Sequence, residues 1–294
     1  MKSRHTPLSR RSVLKLSAGM AAYSVARGTM FALAESLSQR GNGTPQRRSN
    51  PNANKFADDR TVRPYAGNTV ICPLPKDSLV FRALSHVHDE FAGHRFAQRI
   101  ALLPPSSYHS TIFSGANDQG RKPNVWPADI PLDTPISECN RMLTERISKA
   151  QFPLSLPLRF RIDEDPQSQS KDISTIRLLP LDESENRKVR DLRNRLSEVM
   201  KIHAPDHDLY RFHISLGYWV QPRGPEELAD YDGVLTAALK KLTSEIHSID
   251  LQAPVFCTFE NMLSYTPLEQ LKIVPPKTVA DLTTFARSAS ALTS

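Results

Sequence analysis

From residue 68 onward, short apolar runs of period two alternate with longer stretches of period near 3.6, and the order of these runs repeats. Residues 68–71 (NTVI) read as a strand, and Asp77 or Ser78 can cap a helix whose apolar positions Val80, Leu84, Val87 and Phe91 fall on one face. Residues 99–103 return as an apolar strand, Pro104 and Pro105 interrupt it, and 108–113 (YHSTIF) continue as strand. After a Gly- and Pro-rich loop (115–135), Cys139, Met142, Leu143 and Ile147 predict a second helix and 156–162 a strand. The pattern then restarts. Residues 174–179 read as a strand, Asp182 can cap a helix carrying Val189, Leu192, Leu196 and Val199 on one face, and 212–220 (FHISLGYWV) form the next strand. A third helix follows over 225–246 and a strand over 255–263. Strand, helix, then a strand bearing a histidine thus occurs twice.

The chain has 294 residues, 39% of them hydrophobic, enough to bury a sizeable core. Its net charge is +7, but six of those charges (Lys2, Arg4, Arg10, Arg11, Lys15, Arg27) lie in the first 34 residues, which hold no acidic side chain, so the remainder carries +1. Broad electrostatic capture of nucleic acid therefore has no support, while a small local patch can still hold a phosphate. The start, with Ser9-Arg10-Arg11-Ser12-Val13-Leu14-Lys15 before an Ala-rich run ending Ala32-Leu33-Ala34, resembles a twin-arginine export signal. It implies the twin-arginine export machinery as a partner and a periplasmic or secreted address. Lys15 and Arg27 leave too short an uncharged stretch for a stable membrane anchor. Residues 35–60 are polar and rich in Asn, Gly, Pro and Arg, and read as a flexible tether. The organisation expected is export signal 1–34, linker 35–60 and one domain over 61–294. Cys72, Cys139 and Cys257 are widely spaced, odd in number and without a C-x-x-C pair, which favours buried free thiols.

In a strand, residues i and i+2 share a face, so His109 sits beside Thr111 and His213 beside Ser215. An imidazole moves a proton near neutral pH, and a neighbouring hydroxyl donates to a non-bridging phosphate oxygen. Two such pairs across a cleft supply a base, an acid and two donors for phosphodiester cleavage without a metal or other cofactor. Of nine histidines only these two have Ser or Thr two places on. The bland alternative is two core histidines satisfied by backbone groups.

The repeated pairs, HST at His109 and HIS at His213, resemble the signature of the 2H phosphoesterase superfamily, which includes bacterial RNA ligase-like cyclic phosphodiesterases, and YHSTIFSG and HAPDHDLYRFHISLGY look like a branch of it. The resemblance covers about residues 69–265. It implies an α+β, bilobal, pseudo-twofold fold with two antiparallel sheets flanking a central cleft and helices outside. It makes His109 and His213 the catalytic pair, Thr111 and Ser215 the phosphate-holding hydroxyls, and a 2',3'-cyclic nucleotide, an RNA-end cyclic phosphate or a related small phosphodiester the substrate of a monomeric enzyme. His213 is assigned as base and His109 as acid. Tyr218 and Trp219 are candidates for stacking on the substrate and Arg211 and Arg121 for contacting it.

Two other readings stay open. His203, Asp206, His207 and Asp208 are dense enough to suggest a metal-dependent hydrolase, although Pro205 keeps the two histidines off one helical face. An exported module that binds a nucleotide or another phosphorylated ligand without catalysis is the third. Gly-rich phosphate loops and G-x-S-x-G elbows are absent, which removes kinase-like and serine-hydrolase chemistry.

Overall fold

The computed structural model describes residues 49–168 and 172–276. The export signal expected over 1–34 and the first part of the tether lie outside the described residues. Among the described residues no helix is long and apolar enough to cross a membrane.

Strands β1 (Gly67–Pro73), β2 (Ile100–Leu102), β3 (His109–Asn117), β5 (Leu158–Ile162), β6 (Ile173–Pro180), β7 (His213–Trp219), β8 (Ile249–Leu251), β9 (Val255–Asn261) and β10 (Ser264–Gln270) form one antiparallel sheet. Its order is β10-β9-β1-β3-β7-β6-β5-β8, with β2 also on β7. Two short strands, β4 (Phe152–Pro153) and β11 (Ile273–Val274), pair in parallel apart from it. Four helices complete the α+β architecture: α1 (Leu79–Gly93), α2 (Ile136–Lys149), α3 (Glu183–Met200) and α4 (Pro225–Glu245). The two expected lobes appear as the two halves of the sheet, β10-β9-β1-β3 and β7-β6-β5-β8, which meet where β3 and β7 pair at Ser110 and Ile214.

The helices form where local chemistry directs them. The Ser78 side chain accepts from the Phe81 amide and that of Asp182 from the Glu185 amide, each satisfying a donor that the first helical turn leaves open. In α1 the buried residues are Val80, Leu84, Val87 and Phe91, and in α3 Val189, Leu192, Leu196 and Met200 are joined by two polar side chains, Glu185 and Arg193. Helix α2 packs on β1, β3, β9 and β10, and α3 on β3, β5 and β6. Cys72, Cys139 and Cys257 are free, buried thiols.

Residues 49–60, assigned to the tether from their composition, are folded against the body. Phe56 is buried in the core and bridges to Val62, while the Asn52 amide donates to the carbonyls of Asp172 at 2.8 Å and Trp219 at 2.9 Å. Polar composition misleads here because Asn52 satisfies backbone groups and a single aromatic anchors the turn.

Candidate active site

The antiparallel pairing of Ser110 with Ile214 sets the site. Counting outward from that pair, His109 faces Ser215 and Thr111 faces His213, so the two histidines stand on one diagonal and the two hydroxyls on the other. Burial confirms a shared, open face: these four are half-buried, whereas Ser110, Ile112, Ile214 and Leu216 between them are fully buried. Diagonal neighbours across an antiparallel pair are about 7–8 Å apart, room for a phosphoryl group between two rings.

Both rings are held in the same way. His109 Nδ1 donates to the Ser107 carbonyl at 2.7 Å and His213 Nδ1 to the Arg211 carbonyl at 2.9 Å, each two residues upstream. A carbonyl only accepts, so Nδ1 carries the proton and Nε2 of each neutral ring holds the lone pair. The shared tautomer arises from strand geometry alone and makes the histidines interchangeable in kind. Burial pushes the His109 pKa down to about 4, opposed by the Ser107 hydrogen bond and reinforced by the nearby His213. His213 is also lowered, first by burial, then by the positive charges of Arg177 and Lys55. Desolvation disfavours the charged ring in both cases.

Equivalent irregularities follow both motifs. On β3 the partner register passes from Thr111 to Phe113 while β1 advances one residue, and on β7 it passes from Ser215 to Gly217 while β6 advances one. Each strand therefore carries an extra residue just after its hydroxyl, and the bulge returns Ser114 and Tyr218 to the histidine face. Two tyrosines border these hydroxyls: Tyr210 lies near Thr111 and Ser114, and Tyr218 near Ser215, with the Tyr218 hydroxyl donating to Met262 Sδ at 3.6 Å. Gly217 permits the second bulge by its size, since a Cβ there would come within 2.9 Å of the Ala101 carbonyl oxygen.

The bulge also separates the two expected stacking residues. Tyr218 is turned to the histidine face but is itself buried, with its ring 5.4 Å from that of Phe56 and Lys55 Nζ 4.6 Å from its centre. Trp219 is turned to the other face and buried against Tyr231 at 4.9 Å and Phe96 at 6.1 Å, so it is a core residue and cannot stack on a substrate. Arg121 is likewise committed elsewhere. Its guanidinium donates to the Leu132 carbonyl at 2.7 Å and to that of Thr134, pairs with Asp118 at 2.6 Å and lies 4.4 Å over Trp126, tying down the Gly- and Pro-rich loop. Arg211 is exposed beside the site, its carbonyl holding His213.

Several neighbours carry no sequence signal. Tyr265 on β10 meets the His109 ring edge-on at 4.3 Å, and Arg177 on β6 faces His213 across the ladder with Nη1 3.5 Å from its Nδ1. Arg193 is buried under β3. It donates to the Ile112 carbonyl at 2.6 Å, inside the first bulge, and to the His207 carbonyl at 2.9 Å, while its guanidinium lies 4.2 Å from the Tyr210 ring. Two buried carbonyls thus depend on one cation, so Arg193→Met is expected to lower unfolding free energy by about 1.5–3 kcal/mol, the range for hydrogen bonds to a charged group. Arg193→Lys should recover only part of it, because one ammonium lacks the fork that reaches both carbonyls. Urea denaturation of the variants checks this.

The His203 to Asp208 stretch does not build a metal site. His207 is buried with Nε2 bonded to Asn194 at 2.9 Å, its ring 4.5 Å from that of His203, and among the described residues no three His, Cys, Asp or Glu side chains converge. A cavity of about 790 Å³ lined by Phe152, Leu154, Arg187, Lys188, Asp191 and Arg195 contains no histidine. The two histidines and their neighbouring hydroxyls meet at the β3/β7 seam, so we place the candidate site there rather than in that cavity.

Residues 55–170 match a family model described as "2H-phosphodiest: Domain of unknown function (DUF1868)". A comparison with curated proteins finds no match. Among solved structures, a conserved protein of unknown function from Agrobacterium tumefaciens str. C58, ATU0111, is 26% identical, with 78% of this chain and 96% of that chain covered and a TM-score of 0.70. TT0787 of Thermus thermophilus (16% identity, 69% and 96% coverage, TM-score 0.38) and E. coli LigT complexed with 3'-AMP (12%, 72% and 99%, 0.38) superpose too loosely to bear on the site. The chain shares the fold of the Agrobacterium protein, and over residues 55–170, which include the first histidine motif, it is similar to the 2H-phosphodiest family.

Proposed function

We propose that the cleft hydrolyses a small cyclic phosphodiester, such as a 2',3'-cyclic nucleotide, by acid–base catalysis between His109 and His213. The observation that carries this reading is the diagonal arrangement of two rings, each with Nδ1 on the carbonyl two residues upstream, beside two strand hydroxyls. In the step, one neutral ring takes a proton at Nε2 from water as the water oxygen bonds to phosphorus. The bond from phosphorus to the ribose oxygen breaks, and the protonated partner ring gives that oxygen its proton. Thr111 and Ser215 donate to the non-bridging oxygens as charge builds there. The product is a phosphate monoester, with the two rings left in exchanged protonation states.

Burial lowers both rings, so either can be the neutral one that takes the proton from water. His109 is neutral above about pH 4. The productive free enzyme has one ring neutral and the other protonated. Its kcat/KM should follow a bell whose two limbs both lie below 6.5, because both rings are lowered from that value. The test is hydrolysis of a 2',3'-cyclic nucleotide from pH 3.5 to 8 in excess chelator. A bell with its maximum on the acid side is the expected result, while an optimum above pH 7, or turnover abolished by the chelator, counts against the mechanism. Export through the twin-arginine route belongs to the same proposal and rests on Arg10, Arg11 and the Ala-rich run.

A further inference from the structure

The proposed reaction makes no use of Lys55. Lys55 belongs to the turn that Asn52 and Phe56 pin to the body, and its backbone is fixed on both sides, its amide on the Asn52 carbonyl and its carbonyl on the Arg63 amide, both at 2.8 Å. Its ammonium lies 4.6 Å from the Tyr218 ring centre and 5.3 Å from that of Tyr65. Among the described residues no carboxylate comes within ion-pair distance of it. Burial lowers its pKa to about 8, so the ammonium is still mostly charged at neutral pH, and it is near enough to His213 to depress that ring. A half-buried cation without a counter-charge is costly unless something anionic meets it there.

Tyr218 is the next residue after Ser215 on the histidine face, beyond the bulge, and Lys55 sits over its ring, so the ammonium flanks the histidine and hydroxyl tetrad on the β7 side. Thr111 and Ser215 already serve the scissile phosphoryl group, and Tyr65 and Tyr218 hold the ammonium beside them. We propose that Lys55, seated on Tyr65 and Tyr218, is a second anion subsite, so that the preferred substrate is a phosphodiester carrying a further anionic group, a phosphate or carboxylate, beyond the bond that is cleaved. The inference rests on the reading of the cleft as a phosphodiester site.

The experiment compares 2',3'-cyclic AMP with the same nucleotide bearing a 5'-phosphate, using the full chain, Lys55→Met and Lys55→Arg. The wild type should favour the 5'-phosphorylated substrate in kcat/KM by on the order of tenfold to a hundredfold, the range of a hydrogen bond to a charged group. Lys55→Met, which keeps the apolar stem on Tyr218, should bring the ratio near one, and Lys55→Arg should keep most of it. A wild-type ratio near one, or a ratio that survives in Lys55→Met, overturns the subsite. Calorimetric binding of adenosine 3',5'-bisphosphate against 3'-AMP reads the subsite without turnover. A Lys55-dependent preference with no hydrolysis supports the subsite while overturning the hydrolase reading, binding of both ligands without preference overturns the subsite alone, and binding of neither overturns both.

Discussion

His109→Ala and His213→Ala each lower kcat for 2',3'-cyclic nucleotide hydrolysis by about 10²–10⁴, the usual contribution of a positioned acid or base. The combined variant loses little more than either alone, because the two rings act as one unit and removal of either stops the proton circuit. Both rings sit half-buried on an open face, so the losses come without a matching loss of stability, and thermal unfolding of the same variants checks that. The two variants also differ in pH behaviour. His109→Gln removes the limb near pH 4, and His213→Gln the other limb. Either variant with more than a tenth of wild-type turnover would sink the two-histidine mechanism.

Trp219→Ala costs about 3–5 kcal/mol of unfolding free energy, the range for truncating a fully buried aromatic. Its ring is enclosed by Phe96, Tyr231 and the guanidinium of Arg223, 4.3 Å from the ring centre, and little can collapse into the space it leaves. Tyr218→Phe, one residue earlier, should do the opposite. It keeps the ring against Phe56 and Lys55 and so leaves stability within about 1 kcal/mol, yet it removes the hydroxyl beside Ser215 and slows turnover by about tenfold. The contrast tests the bulge at Leu216 and Gly217 directly. Strict alternation from His213 would put Trp219 on the cleft face and Tyr218 in the core, and would exchange the two outcomes. Urea denaturation and steady-state kinetics on the two variants decide it.

Much of this was legible in the chain alone. Helical faces were readable because apolar residues every three or four positions have only one way to bury together, and Val80, Leu84, Val87 and Phe91 do so in α1. Ser78 and Asp182 were readable as caps because a side-chain oxygen before an apolar period satisfies an orphan amide locally. The pairs His109 with Thr111 and His213 with Ser215 were readable as sharing faces because strand period two is a property of the backbone. Strand β10 was not: SYTPLEQ is mostly exposed, contains Pro267 and shows no alternation that a half-buried strand would impose. The packed turn of residues 49–60 escaped for a related reason, since Phe56 alone among polar neighbours gives no period to detect.

The sequence by itself determined the order of the helices and the main strands, the caps of two helices, the faces they bury and the two strands that carry an imidazole beside a hydroxyl, because each depends on residues within a few positions of one another. Tertiary structure decided the rest. The pairing of Ser110 with Ile214 set the histidines on a diagonal, the bulges chose Tyr218 over Trp219, Arg121 was drawn into its own loop, and Lys55 and Tyr265 came to the cleft from opposite ends of the chain. Strand register and long-range contacts arise from competition among many burial and hydrogen-bonding alternatives across the molecule, and no local pattern of residues encodes which one wins.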